Sequence, residues 1–116
     1  MKAFFSPKYT VEMGDHVFPT MKFGLVAQKL LKDGVLSASD IIEPTPASRE
    51  DLLLAHTAEW GDKMLNGTLT ERDLQTLELP YSPQLLLAHR LAAGGTLLAC
   101  REALESGLGL HIGGGS

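Results

Sequence analysis

Residues 82–116 read SPQLLLAHRLAAGGTLLACREALESGLGLHIGGGS, and this stretch decides the fold. Ser82 suits an N-cap and Pro83 the first helical position, so a helix opens there and runs to about Ser106, stopping at Gly107. Its apolar residues (Leu85, Leu86, Leu87, Leu91, Ala92, Ala93, Leu97, Leu98, Ala99, Ala103 and Leu104) cover more than one face. A helix apolar nearly all round must be covered on several sides. Gly94-Gly95 in its middle costs about 1 kcal/mol per glycine against alanine, which predicts the close approach of another backbone. After the helix, Gly109-Leu-His-Ile112 reads as a short strand ending in the glycine run Gly113-Gly-Gly-Ser116.

Working outward, Lys2–Ser6 reads as a first strand, stopped by Pro7, and residues 7–19 as loop. Phe23, Val26, Ala27, Leu30 and Leu31 recur at helical spacing, with Lys22, Gln28, Lys29 and Lys32 opposite, which predicts a helix over 20–33 closed by Gly34. Asp40–Glu43 is a second short strand. Short capped helices follow: one opened by Ser48, with Asp51 three residues on, another over 58–65, and a third opened by Thr70. The order strand, helix, strand, several helices, strand implies an α/β layer fold with parallel strands. Three short parallel strands leave open edges and need cover on both faces. The chain therefore reads as residues 1–116 of the first part of a larger domain.

The 116 residues carry 10 Lys+Arg and 14 Asp+Glu, a net charge of -4. The halves 1–60 and 61–116 each stand at -2, with six positive against eight negative and four against six. No basic face exists to release counterions, so nucleic acid and anionic membrane are excluded as expected partners. No stretch reaches the length of a membrane span and no signal-peptide core is present, which makes the cytoplasm the expected compartment. The single cysteine, Cys100, allows no internal disulfide and reads as an inert core thiol. His16, His56, His89 and His111 show neither i,i+4 pairing on one helix nor Asp-x-His spacing, so no zinc is expected on this chain by itself. His56 and His89 read as structural or surface residues. The glycine run is compatible with an anion cradle of backbone N–H groups or with a flexible linker.

Several stretches taken together are similar to a known family. They are His16-Val-Phe-Pro19 followed by Lys22-Phe23, then His56-Thr-Ala-Glu-Trp60, Leu79-Pro-Tyr-Ser-Pro83, Arg90-Leu-Ala-Ala-Gly-Gly-Thr96 and Gly109-Leu-His-Ile-Gly-Gly-Gly-Ser116. In this order they resemble the N-terminal part of the zinc-dependent histone deacetylase superfamily, above all its bacterial and class IV-like members. The resemblance implies a three-layer parallel-sheet fold of arginase/deacetylase type. It also implies hydrolysis of an acetyl-amide, of acetyl-lysine or acetylpolyamine type, at a zinc held by two Asp and one His, with a His pair and a Tyr assisting. Those reacting residues would follow Ser116, so the 116 residues alone are expected to be inactive and to bind no zinc. By resemblance, His16, Phe18 and Pro19 belong to the first active-site loop. Lys22 lies beside the internal channel, Tyr81 and Ser82 near the mouth, and Gly114 and Gly115 on the pocket floor. The full-length enzyme would take an acetylated small molecule or peptide.

The alternative is a non-enzymatic module derived from the same fold. Its exposed apolar helix and sheet edges would make it a homo-oligomer, most simply a dimer, with Leu86, Leu87, Leu91, Leu98 or Leu110 in or near the interface.

Overall fold

The computed structural model describes residues 1–11, 20–77 and 82–113. Among them are three strands, β1 (Ala3–Phe4), β2 (Ile41–Ile42) and β3 (Leu110–His111), and five α-helices. The helices are α1 (Lys22–Lys32), α2 (Arg49–Leu53), α3 (Ala58–Asn66), α4 (Glu71–Leu77) and α5 (Pro83–Ser106). The strands form one parallel sheet in the order β2-β1-β3, so β1 is central. The α/β class and the parallel pairing expected from the element order are both present.

Ala3 pairs with Ile41 and Leu110, and Phe4 with Ile42 and His111. The Phe5 N–H donates to the Ile42 carbonyl at 3.0 Å and the Ile112 N–H to the Phe4 carbonyl at 2.9 Å, so hydrogen bonding runs one residue past each two-residue ladder. The ladders are shorter than the strands read from the sequence because Pro7 and Pro44 interrupt the first two and the Gly113 turn the third.

Side chains alternate across the sheet. Ala3, Phe5, Leu110 and Ile112 pack with Ala27, Leu30 and Leu36 on the α1 side. Phe4 and His111 consequently face α5. That helix buries Leu85, Ala88, Leu91, Gly94, Gly95 and Ala99 along one line. Its ends follow the sequence closely. The Ser82 hydroxyl accepts the Leu85 N–H at 3.0 Å. Gly107, at φ 91°, closes the C-terminus with its N–H on the Ala103 carbonyl.

The glycine pair answers the expectation of a close approach. A Cβ at Gly94 would strike the Thr45 carbonyl oxygen and lie 3.2 Å from the Ala47 nitrogen. The strand-to-helix segment after β2 is held there on both sides. The Ala47 N–H donates to the Arg90 carbonyl at 2.9 Å, and the Arg90 guanidinium returns two bonds to the Ala47 carbonyl at 3.2 and 3.0 Å.

Three readings are corrected. Cys100 is exposed rather than buried, because it lies off the α5 line that meets the sheet. On α1 the buried stripe is narrower than the apolar pattern. Ala27 is buried, while Val26 is 48% and Leu31 38% exposed. α1 also begins two residues later than the periodicity suggested, at Lys22, with no side-chain cap from Met21. Exposed apolar side chains therefore concentrate on and around α1 (Met21, Leu25, Val26, Val35) and at Leu104 and Leu108 beside the end of α5. Leu91, by contrast, is 3% exposed within this chain.

The two kinds of helical glycine should respond oppositely to alanine. Gly94→Ala gains about 1 kcal/mol of helix propensity but must displace backbone, for a net loss of about 1–3 kcal/mol. Gly24 in α1 has open space around it, so Gly24→Ala should be neutral or stabilising by up to about 1 kcal/mol. Urea midpoints measure both, and a Gly94→Ala variant as stable as the parent would contradict the close approach.

Candidate functional site

In an open parallel sheet, ligands bind beyond the carboxyl ends of the strands, where the chain leaves a central strand toward opposite sides. Here the chain passes from β1 to β2 on one side and later to β3 on the other. The crevice to inspect is therefore the carboxyl ends of β1 and β3.

β1 runs out through Ser6 into a single three-ten turn, Pro7–Tyr9. Ser6, 0% exposed, accepts the Lys8 N–H at 3.1 Å and donates to Glu43 Oε1 at 2.9 Å, tying the ends of β1 and β2 together. The Lys8 ammonium stands 3.8 Å from the same carboxylate oxygen. This turn delivers Tyr9 inward, to 3% exposure. Its ring meets Phe5, Phe23 and His111 edge to face, with centroids 5.9, 6.1 and 5.7 Å apart.

The Tyr9 hydroxyl lies 2.8 Å from His111 Nε2 and donates to the Leu91 carbonyl at 3.3 Å. His111 Nδ1 is 3.2 Å from the Thr96 hydroxyl. Gly95 and Gly113 admit this cluster. A Cβ on Gly95 would collide with His111 Nε2, and one on Gly113, at φ 146°, with the Tyr9 ring. Burial, with Glu43 adding to it, pushes the Tyr9 hydroxyl up to about 12, so it stays protonated. Burial also moves His111 below its ordinary value, which favours the neutral imidazole.

Of the residues singled out from the sequence, His16, Phe18, Pro19, Tyr81, Gly114 and Gly115 lie outside the described residues. Lys22 is the first residue of α1, its Nζ 5.2 Å from the Phe23 ring centroid. Phe23 touches Tyr9, whose ring lies under Gly113, so the N-terminus of α1 shares the carboxyl side of the sheet with that turn. Ser82 is at the start of α5, with its hydroxyl engaged as the cap. Tyr9, Thr96 and the role of His111 were not read from the sequence. Alternation in 109–112 was the available signal, since it turns His111 away from Leu110 and Ile112 toward the glycine pair.

Among the described residues, no three His, Cys, Asp or Glu side chains converge as a metal site. No helix there is long and apolar enough to cross a membrane.

Two curated relatives give this crevice a context. Over 106 residues, 86% of the chain, it is 31% identical to histone deacetylase 2 of Arabidopsis thaliana. The chain is similar to a histone deacetylase. Over 113 residues, 97% of the chain, it is 33% identical to an uncharacterized protein of Picosynechococcus sp.. It spans 27% of the length of the deacetylase and 38% of the other relative. No family model matches the chain.

The depressed His111 value fixes the sign of a pH effect. The unfolded chain binds its proton first as pH falls through the ordinary histidine value near 6.5. The His111 contribution is thus complete above that pH and declines below it until the folded-state value is reached. Desolvation moves His89 in the same direction. His111→Gln should therefore reduce the histidine-dependent loss of stability below about pH 6.5, with His89 supplying the remainder. An unchanged slope in urea titrations across that range would contradict the burial of His111.

Proposed function

We propose that this chain is the N-terminal part of a deacetylase that hydrolyses an acetyl-amide, of the acetyl-lysine or acetylpolyamine type. The observation that carries the reading is the similarity to histone deacetylase 2 across 86% of the chain. Two structural features support it. The sheet is parallel, and Gly113, the first residue of the glycine run, follows the carboxyl end of β3. Lys22 and Ser82 are the described residues to which the resemblance gives a place in the channel and at the mouth.

The zinc implied by the resemblance finds no donor set among the described residues. Both ring nitrogens of His111 already face Tyr9 and Thr96. No hydrolytic step is therefore derived from this chain. Its own contribution, on this reading, is scaffold: β1 and β3 set the crevice, and α5 backs the turn that forms its floor.

The reading predicts that the coding sequence beyond Ser116 supplies a His-His pair and, later, Asp-x-His. The protein including that segment should deacetylate acetyl-lysine or N-acetylpolyamine substrates with metal dependence, while residues 1–116 alone show no turnover above background. A stop codon after Ser116 would overturn the reading, as would metal-independent turnover by the short chain.

A second reading has its own observation. Met21, Leu25, Val26 and Val35 are all about half or more exposed, and β2 and β3 are both edge strands among the described residues. Burying such a surface favours self-association. Sedimentation of residues 1–116 should then give a dimer with these α1 residues in contact, and Leu25→Glu should dissociate it. A well-folded monomer at about 100 μM, where standard-sized interfaces remain associated, would rule this out.

A further inference from the structure

We infer that Tyr9, His111 and Thr96 are positioning residues, linked in one hydrogen-bond chain that holds the end of β3 and the Gly113 turn at the crevice. The inference rests on the deacetylase reading only for what the turn serves.

The chain is continuous in either proton arrangement. The Tyr9 hydroxyl has one hydrogen and two neighbours, His111 Nε2 at 2.8 Å and the Leu91 carbonyl at 3.3 Å. With the hydrogen of the neutral imidazole on Nε2, the ring donates to the Tyr9 oxygen, the Tyr9 hydroxyl donates to the Leu91 carbonyl, and the Thr96 hydroxyl donates to Nδ1 at 3.2 Å. With it on Nδ1, the Tyr9 hydroxyl donates to Nε2 and the ring donates to the Thr96 oxygen. In both, Tyr9, His111 and Thr96 are bonded in line.

The chain acts on the turn through shape as well as hydrogen bonds. Tyr9 fills the space where a side chain at residue 113 would sit, and the Tyr9–His111 contact fills that at residue 95. The turn cannot move toward α5 without displacing Tyr9. His111, in the last position of β3, cannot move away without breaking both of its bonds. Tyr9 in turn is fixed by Phe5 on the sheet and Phe23 on α1. The position of the glycine turn is thereby set from β1, α1 and α5 together, which is what a site at a strand end needs of its support.

The test uses the protein with Tyr9→Phe, which keeps the ring and removes the hydroxyl, and with Thr96→Val at an exposed position. Nitrogen NMR of the His111 ring should show one neutral tautomer in the parent and a changed Nε2 resonance in Tyr9→Phe, where the ring loses its hydroxyl partner. Exchange of the Ile112 amide, which is bonded to the Phe4 carbonyl, should speed up by about fivefold to tenfold in Tyr9→Phe, while the Phe5 amide on β2 is unchanged. Thr96→Val should disturb the His111 ring without loosening Phe5. In the full-length protein, Tyr9→Phe should lower deacetylation kcat by about tenfold at unchanged KM.

A His111 ring whose nitrogen resonances are the same in the parent and in Tyr9→Phe overturns the inference. So does unaltered Ile112 exchange in Tyr9→Phe, or loosened exchange with full deacetylase activity. A parent protein without deacetylase activity, but with the exchange coupling intact, overturns the deacetylase reading and supports the positioning of the turn.

Discussion

The fold turns on one steric constraint, the absence of side chains at Gly94 and Gly95 in the middle of α5. The Thr45–Ala47 backbone closes on the first glycine, and the Tyr9–His111 pair closes on the second. A third close approach continues the line toward the C-terminus, since a Cβ at Gly109 would meet the Ala99 carbonyl. α5 is therefore seated against the segment after β2, the turn after β1 and the approach to β3 at once. All three strands are tied to one helix, by backbone contacts at Gly94 and Gly109 and by the Tyr9 and His111 side chains at Gly95, in spaces that an alanine side chain would fill.

That seating explains the electrostatics of the crevice. Tyr9 is buried and His111 half-buried beside it, which pushes the Tyr9 hydroxyl up and the His111 imidazole down, each toward its neutral form, and their hydrogen bonds run to each other, to Thr96 and to a helix carbonyl. Charges remain outside this cluster. At the rim Glu43 is bound by Ser6 and faces Lys8, and at the opposite, amino end of β1 the Lys2 ammonium stands 3.3 Å from Glu102. Exposed pairs of this kind contribute little to stability. The core under the crevice is held by packing and by directed hydrogen bonds. This suits a scaffold that presents a glycine turn, and it agrees with the similarity to a histone deacetylase over most of the chain's length.

Much of this was legible in the sequence because local signals decided it. Ser48 and Ser82 each cap a helix through a side-chain oxygen, and Gly107 ends α5 at positive φ. The glycine pair announced a close approach. What the sequence hid depends on which neighbour arrives. Val26 and Leu31 have the spacing of a buried stripe, yet α1 meets the sheet along Ala27 and Leu30, and the wider apolar band stays uncovered. Cys100 has apolar neighbours in sequence but sits off the contact line. Tyr9 follows a proline in a segment read as loop. Only the tight turn at Pro7–Tyr9 sends its ring beneath Gly113, and no periodicity encodes that.

The central claim is that Gly95 is required because His111, with the Tyr9 hydroxyl beside it, occupies the space its side chain would need. A double-mutant cycle of Gly95→Ala and His111→Ala, followed by urea denaturation, tests it directly. The account predicts that Gly95→Ala is clearly destabilising in the parent and less so beside His111→Ala, where the Tyr9 hydroxyl still limits the space, with a coupling of about 1–3 kcal/mol. Strict additivity, with Gly95→Ala equally costly in both backgrounds, would contradict it.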